Sequence, residues 1–209
     1  ADLVDWLLRH PPAGVMGPLI ATLQLEATRL SDQGATDRLA QSVLFLVFTF
    51  LQHEPERTQD RLAELALAGV IRQVLSAALA LSALDIGDGE RSAVLVRRCI
   101  VVLVKLSFGH STHQDAIVAS GIVGELKLVM QAHTDSLGVL TVVECLLSNL
   151  MFNSSPNKLL ICKTCGEELV KVLSRCAVGA ADARQQSKRN LLEPGTTAST
   201  QAALLANQK

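Results

Sequence analysis

The segment LVKLSF, residues Leu103–Phe108, returns in related form 44 residues later as LSNLMF, residues Leu147–Phe152. Each segment ends a long run whose apolar residues are spaced as on one side of an α-helix. A short segment and a medium one precede each long run, in the same order. Because spacing and order repeat together, the sequence predicts successive units of three helices.

A second pattern marks the boundary between the first two helices of each unit. The stretch ALAGVI at Ala66–Ile71 corresponds to VASGIV at Val118–Val123, and CKTCGE at Cys162–Glu167 is a looser copy. Together with Gly14, which is taken as the mark of an earlier copy, they place glycines at residues 14, 69, 121 and 166, at intervals of 55, 52 and 45 residues. A glycine ends a helix readily, so the pattern predicts a helix break at each position.

The composition favours packed helices. Of the 209 residues, 49% are hydrophobic and 3% are aromatic, so the core material is mainly Leu, Ala and Val. The net charge of −1 argues against a nucleic-acid-binding protein. No apolar stretch reaches the roughly 18 residues of a membrane span, and no secretion signal opens the chain. Five cysteines, an odd number in mostly apolar runs, predict reduced thiols and an intracellular protein.

These features resemble the armadillo-repeat family, whose unit has three helices and whose third helix ends in a segment like Leu147–Leu150 (LSNL). The resemblance covers most of the chain and is best from residue 91 to 178. It implies an all-α, right-handed armadillo/HEAT-like superhelical solenoid. The single domain, residues 1–209, would contain four units at about 1–54, 55–109, 110–153 and 154–209, with a flexible insertion at 180–198. The sequence departs from the family pattern at Lys105, where an Asn is usual, and at Cys145, where peptide-binding members have Trp.

A narrower resemblance is to the carboxy-terminal armadillo region of rotatin-like proteins, which are large scaffolds of centrioles and basal bodies. It rests on Asn149–Phe152, on the turn Ser154–Lys158 and on the ending Ala202–Lys209. The resemblance implies a cytoplasmic or cytoskeletal location at a centriole or cilium.

The third helices supply the candidate binding residues. Their predicted apolar sides are formed by Val96, Ile100, Leu103 and Leu106 in one helix and by Leu140, Val143, Leu147 and Leu150 in the next. Arg98, Lys105 and Asn149 fall on the opposite sides. Since third helices line the inner groove of an armadillo array, these three residues form the predicted partner-binding groove. The alternative is that they are only the solvated sides of amphipathic helices.

Three clusters suggest metal binding but lack a complete ligand set. Cys162 and Cys165 resemble half of a zinc site without the second cysteine pair. His110 and His113 have only Asp115 as a nearby carboxylate and are better explained as a turn and helix cap. The acidic loop at 85–90 lacks the spacing of a calcium loop. The sequence therefore predicts no metal and no cofactor.

Catalytic motifs are also missing: the sequence has no nucleophile elbow, P-loop or dinucleotide-binding glycine pattern. The prediction is a non-catalytic scaffold that binds a peptide or helix from another protein, and Arg98 and Lys105 would attract acidic residues of that partner. Two alternatives remain open. One is a structural spacer in a large mitochondrial or axonemal complex, and the other is a transport adaptor that binds signal peptides.

Overall fold

The computed structural model describes residues 15–33, 38–53, 55–64, 66–83 and 89–192. Throughout these ranges the regular structure is helical and no strand occurs, which confirms the predicted all-α class. The helices, numbered here in chain order, are α1 Met16–Gln33, α2 Arg38–His53, α3 Pro55–Glu64, α4 Leu67–Ala83, α5 Gly89–Ser107, α6 Ser111–Ala119, α7 Ile122–Ala132, α8 Leu137–Met151 and α9 Ser155–Leu192. The helix break predicted at Gly14 and residues 85–88 of the acidic loop lie outside the described residues.

The apolar sides predicted for the two long helices are the sides that face the core. All eight predicted residues on α5 and α8 are buried, and both helices bury further aliphatic side chains beside them. No single helix among the described residues is long and apolar enough to span a membrane. Only the bent pair Thr58–Glu64 and Leu67–Leu81, with an angle of 71°, reaches that length and composition when its two parts are combined.

Helices three places apart in the chain pack against each other. In one series α1 contacts α4 and α4 contacts α7; in the other, α2 contacts α5 and α5 contacts α8. The short helices α3 and α6 also contact each other, and each precedes a pair of longer helices. Helices three places apart thus bury their apolar sides on one another.

The break between α3 and α4 and the break between α6 and α7 follow the same hydrogen-bonding pattern. This pattern corrects the alignment of glycines that the sequence predicted. At the first break Ala66 has a left-handed φ of +53°, and at the second Gly121 has a φ of +84°. The backbone N–H of each donates to the carbonyl three residues earlier, and each carbonyl accepts from a glycine three residues later, Gly69 or Gly124. Ala66 is therefore the counterpart of Gly121. Gly69, which the sequence predicted at the break, lies within α4.

The helix break predicted at Gly166 is wrong, because α9 continues from Ser155 to Leu192 without interruption. Residues 180–192 of the predicted insertion are helical, and residues 193–198 lie outside the described part; the flexibility of this segment stays a prediction. Of the segment Ser154–Lys158, which the sequence predicted as a turn, residues 155–158 begin α9, and the turn lies just before it. Asn153 has a φ of +54°, and the hydroxyl of Ser154 accepts from the Asn157 backbone N–H at 3.4 Å.

The chain divides into two compact units, with the boundary between Glu168 and Leu169. The first unit contains the two helix series and the opening turns of α9. Those turns are attached by Asn157, which donates to the Asp115 carboxylate at 2.9 Å, and by Cys165, whose Sγ donates to the Val123 carbonyl at 3.4 Å. The second unit contains the remainder of α9, whose backbone is described to Leu192.

Side-chain amides satisfy the carbonyls at the end of α5. The last four carbonyls of a helix have no partner within it, so a buried helix end needs donors from elsewhere. Gln59 on α3 donates from Nε2 to the Lys105 carbonyl at 2.6 Å and to the Phe108 carbonyl at 3.3 Å. Gln114 on α6 donates to the Ser107 carbonyl at 3.0 Å. Both glutamines are buried, so the two short helices are fixed to the same helix end.

Replacing Leu147 with Asp tests the core assignment. Leu147 is 1% exposed, and a carboxylate placed there would lose its hydration without gaining a partner. We expect a loss of more than about 4 kcal/mol in the free energy of unfolding, measured by urea denaturation. Leu137→Asp is the control, because Leu137 lies on the same helix and is 66% exposed. Equal stability of the two variants would contradict this packing.

Candidate functional site

An open apolar pocket of about 320 Å³ lies between α2 and α5. Its aliphatic and aromatic lining consists of Leu44, Phe45, Phe48, Val94, Val101 and Val102, and Arg97 and Arg98 complete it. Phe45 is 58% exposed although it is a large aromatic residue. The pocket is therefore a place where a bound side chain would cover apolar surface that now faces solvent.

Two of the three predicted groove residues lie beside this pocket. Arg98 lines it, and its Nη1 donates to the Gln41 carbonyl on α2 at 3.1 Å. Lys105 lies two turns further along α5, with its Nζ 6.0 Å from the centre of the Phe48 ring. Both residues are exposed, so their charges stay accessible to solvent. Together with Arg97 they give the pocket a positively charged border, which we call the α2–α5 basic pocket.

The third predicted residue, Asn149, occupies a different position. It lies on α8, is half-buried, and donates from Nδ2 to the Val104 carbonyl at 3.2 Å and to the Ser107 hydroxyl at 3.1 Å. Its amide thus adds a third side-chain donor to the end of α5. Its place in the partner-binding groove stays a prediction, but in this structure its Nδ2–H group joins α8 to α5.

The cysteines differ in exposure. Cys145 and Cys162 are exposed, whereas Cys99 and Cys165 are buried, and all four are free thiols. The pKa of Cys165 is raised to about 11, mainly by burial and also by the nearby Glu168 carboxylate, while Lys127 opposes the rise. Burial also raises the pKa of Cys99 well above its usual range. Because Cys165 donates to a backbone carbonyl in the interior, it is directed away from the solvent that Cys162 faces.

The two histidines at the start of α6 lie near a carboxylate that the sequence did not indicate. Their rings stack with centroids 4.8 Å apart, and His113 Nε2 lies 3.1 Å from Asp60 Oδ1 on α3. Asp115, the carboxylate considered from the sequence, instead accepts from Asn157. His110 occupies the N-cap position of α6, but its side chain makes no capping hydrogen bond. The predicted turn and N-cap position are thus present, without a side-chain hydrogen bond to the helix.

The repeat interval could have revealed this cluster. Ala66 and Gly121, which are equivalent in the structure, lie 55 residues apart, and the same interval relates Asp60 to Asp115 and Gln59 to Gln114. Applied to the sequence, the interval of 55 residues makes α3 equivalent to α6. It thereby identifies Asp60 as an acidic residue on the short helix that neighbours the helix of the histidines. The glycine alignment used the interval of 52 residues and so missed the correspondence.

Comparison with known proteins leaves the family open. The chain matches no protein-family model, and neither a curated protein nor a solved structure is significantly similar to it. Any statement about its function therefore rests on the chemistry of its own residues.

Alkylation by iodoacetamide tests the arrangement of the cysteines. At pH 8 a thiol with a pKa of about 11 contains roughly 100-fold less thiolate than an ordinary cysteine, and burial further limits access. We expect Cys145 and Cys162 to be labelled rapidly in the folded protein, and Cys99 and Cys165 only after addition of urea. Peptide mass spectrometry over a time course measures each site. Labelling of Cys165 as fast as Cys162 would refute the packing of α9 on α7.

Proposed function

We propose that the described helices form an armadillo-like, right-handed solenoid. Two observations support this: equivalent helices stack in the series α1–α4–α7 and α2–α5–α8, and short helices α3 and α6 precede the longer pairs. In this arrangement α2, α5 and α8 are the third helices and line the inner groove. The unbroken α9 is a departure from the three-helix unit, so the regular units end at α8.

We propose further that the protein is a non-catalytic scaffold that binds another protein through this groove. The single observation that carries the proposal is the α2–α5 basic pocket. It combines exposed apolar surface, including Phe45, with the charges of Arg97, Arg98 and Lys105. A partner can therefore gain binding free energy from burial of an apolar side chain and from attraction to these positive charges at the same contact.

The chemistry of the pocket defines the partner class. We propose a peptide or amphipathic helix with one large apolar side chain flanked by Asp or Glu residues. The apolar side chain would pack on Phe45, and the carboxylates would lie near the guanidinium groups, which can bind them through paired hydrogen bonds. Arg98 already donates one hydrogen bond to Gln41, which holds its guanidinium at the border of the pocket.

A structural spacer in a larger assembly is the second candidate function. It is favoured by Phe108 and Phe152, which follow α5 and α8 at equivalent repeat positions and are both largely exposed. Two such aromatic residues suit a contact along the edge of the helix series. The resemblance to rotatin-like scaffolds would place either function at a centriole, basal body or cilium. A transport adaptor is less well supported, because Asn149 donates within the fold.

Substitution of Phe45 tests the scaffold proposal. The full chain carrying Phe45→Asp is compared with wild type for partners cross-linked in cells, and each partner is then purified for binding measurements. If Phe45 anchors the partner, we expect the affinity to fall by about 30-fold, as for an interface hot spot.

The matched control is Leu25→Asp on α1, because Leu25 is 59% exposed and Phe45 is 58% exposed. The control should retain the partner, and both variants should retain the helical circular dichroism of wild type. Partners that bind the Phe45 variant and wild type equally would refute the pocket as the binding site. If those partners no longer bind a Phe108→Asp/Phe152→Asp variant, the result would favour the second candidate function, a structural spacer.

A further inference from the structure

A cluster outside the α2–α5 basic pocket contains three potential metal ligands. Asp60, His110 and His113 each offer one ligand atom, and these atoms all lie within 4.8 Å of one another. Among the described residues this is the one group of three or more His, Cys, Asp or Glu side chains with such a geometry. Asp60 lies on α3, His110 immediately precedes α6, and His113 lies in the first turn of α6.

We propose that Asp60, His110 and His113 bind a divalent transition-metal ion of the zinc class. Imidazole nitrogen and carboxylate oxygen are both zinc ligands, at distances of about 2.0–2.2 Å. Two ligands of one tetrahedral ion are then about 3.3 Å apart, which follows from those bond lengths. The separation of 3.1 Å between His113 Nε2 and Asp60 Oδ1 is close to this value.

His113 is the fixed member of the set. Its side chain is 8% exposed, and its Nδ1 is buried without a hydrogen-bond partner. The contact with Asp60 is therefore the polar interaction that orients this ring. Asp60 has 69% of its side chain exposed, so an ion can reach the site from solvent through this carboxylate.

His110 completes the set by a small movement. The ligand atoms lie no more than 4.8 Å apart, so bringing His110 to the spacing of a tetrahedral ion requires a shift of at most about 1.5 Å. The His110 side chain is half-buried, makes no capping hydrogen bond, and follows Gly109, whose φ is +79°. It stacks on His113, so the second imidazole is already beside the first.

Imidazole ligands favour zinc, cobalt or nickel over magnesium and calcium, which prefer sites made only of oxygen atoms. Three protein ligands leave a fourth position for water or for a partner's side chain. A bound ion would connect α3 to the start of α6 beside the glutamines that hold both helices to α5. It would therefore stabilise the junction between successive units, since an ion bound only to the folded state raises its stability.

Cobalt spectroscopy tests the proposal directly. The full chain is prepared without a histidine tag and with Cys145, Cys162 and Cys176 replaced by serine, so that these thiols cannot bind the ion. Titration with Co²⁺ should give the visible absorption of a four-coordinate site that saturates at one ion per chain. Zn²⁺ should displace the cobalt and raise the Tm, whereas Mg²⁺ should do neither.

Two variants assign the ligands. Asp60→Asn and His110→Gln alter exposed or half-buried side chains and should leave the fold intact, unlike changes at the buried His113. We expect each to weaken cobalt binding by at least about tenfold, since even indirect supports of a metal ligand have effects of that size. Glu64→Gln, an exposed carboxylate one turn further along α3, is the matched control and should bind as wild type.

Absence of the four-coordinate spectrum, or equal affinity in all three variants, would overturn the proposal. The His113–Asp60 contact would then be an ion pair or hydrogen bond without a metal. This outcome is independent of the scaffold proposal, because the metal cluster and the α2–α5 basic pocket share no residue.

Discussion

The buried carboxy-terminal end of α5 imposes the constraint on which the rest of the structure depends. A helix end has carbonyls without partners inside the helix, and leaving them unpaired in the interior costs about 1–3 kcal/mol each. Here three amides from three other helices supply the donors: Gln59 on α3, Gln114 on α6 and Asn149 on α8. Burial of aliphatic side chains holds the helices together but does not fix their relative positions, because the hydrophobic effect is not directional. The hydrogen bonds of the amides are directional, so they fix the positions of α3, α6 and α8 around the end of α5.

Both proposed sites follow from this arrangement. With the buried side of α5 fixed, Arg98 and Lys105 are directed toward α2 and form the border of the α2–α5 basic pocket. At the end of the same helix, the chain turns through Gly109 and places His110 and His113 against α3. Gln59, which holds α3 to α5, is the neighbour of Asp60, so the same contact brings the carboxylate to the histidines. One helix end thus organises a binding surface and a candidate ion site.

The sequence predicted what depends on local periodicity. Apolar spacing identified the helices and their buried sides, and it placed Arg98 and Lys105 on the exposed side of α5. It failed where the outcome depends on contacts between distant residues. Glycine was taken as the mark of a helix break, yet Ala66 adopts the left-handed conformation at the first break, and α9 passes through Gly166 as a helix. An Asn at position 149 could bind either a partner or a neighbouring helix, and the sequence does not distinguish these roles. The fold does, because it shows which groups the side chain contacts.

The central claim is that side-chain amides at the end of α5 hold α3, α6 and α8 in place. The direct measurement is the free energy of unfolding of Gln114→Met, which keeps the length of the side chain but removes its N–H donors. The account predicts a loss of about 1–3 kcal/mol, because the Ser107 carbonyl stays buried without its amide. Gln73→Met, at an exposed position on α4, should change stability by less than about 0.5 kcal/mol. If Gln114→Met lowers the free energy of unfolding no more than Gln73→Met does, the result would contradict the account.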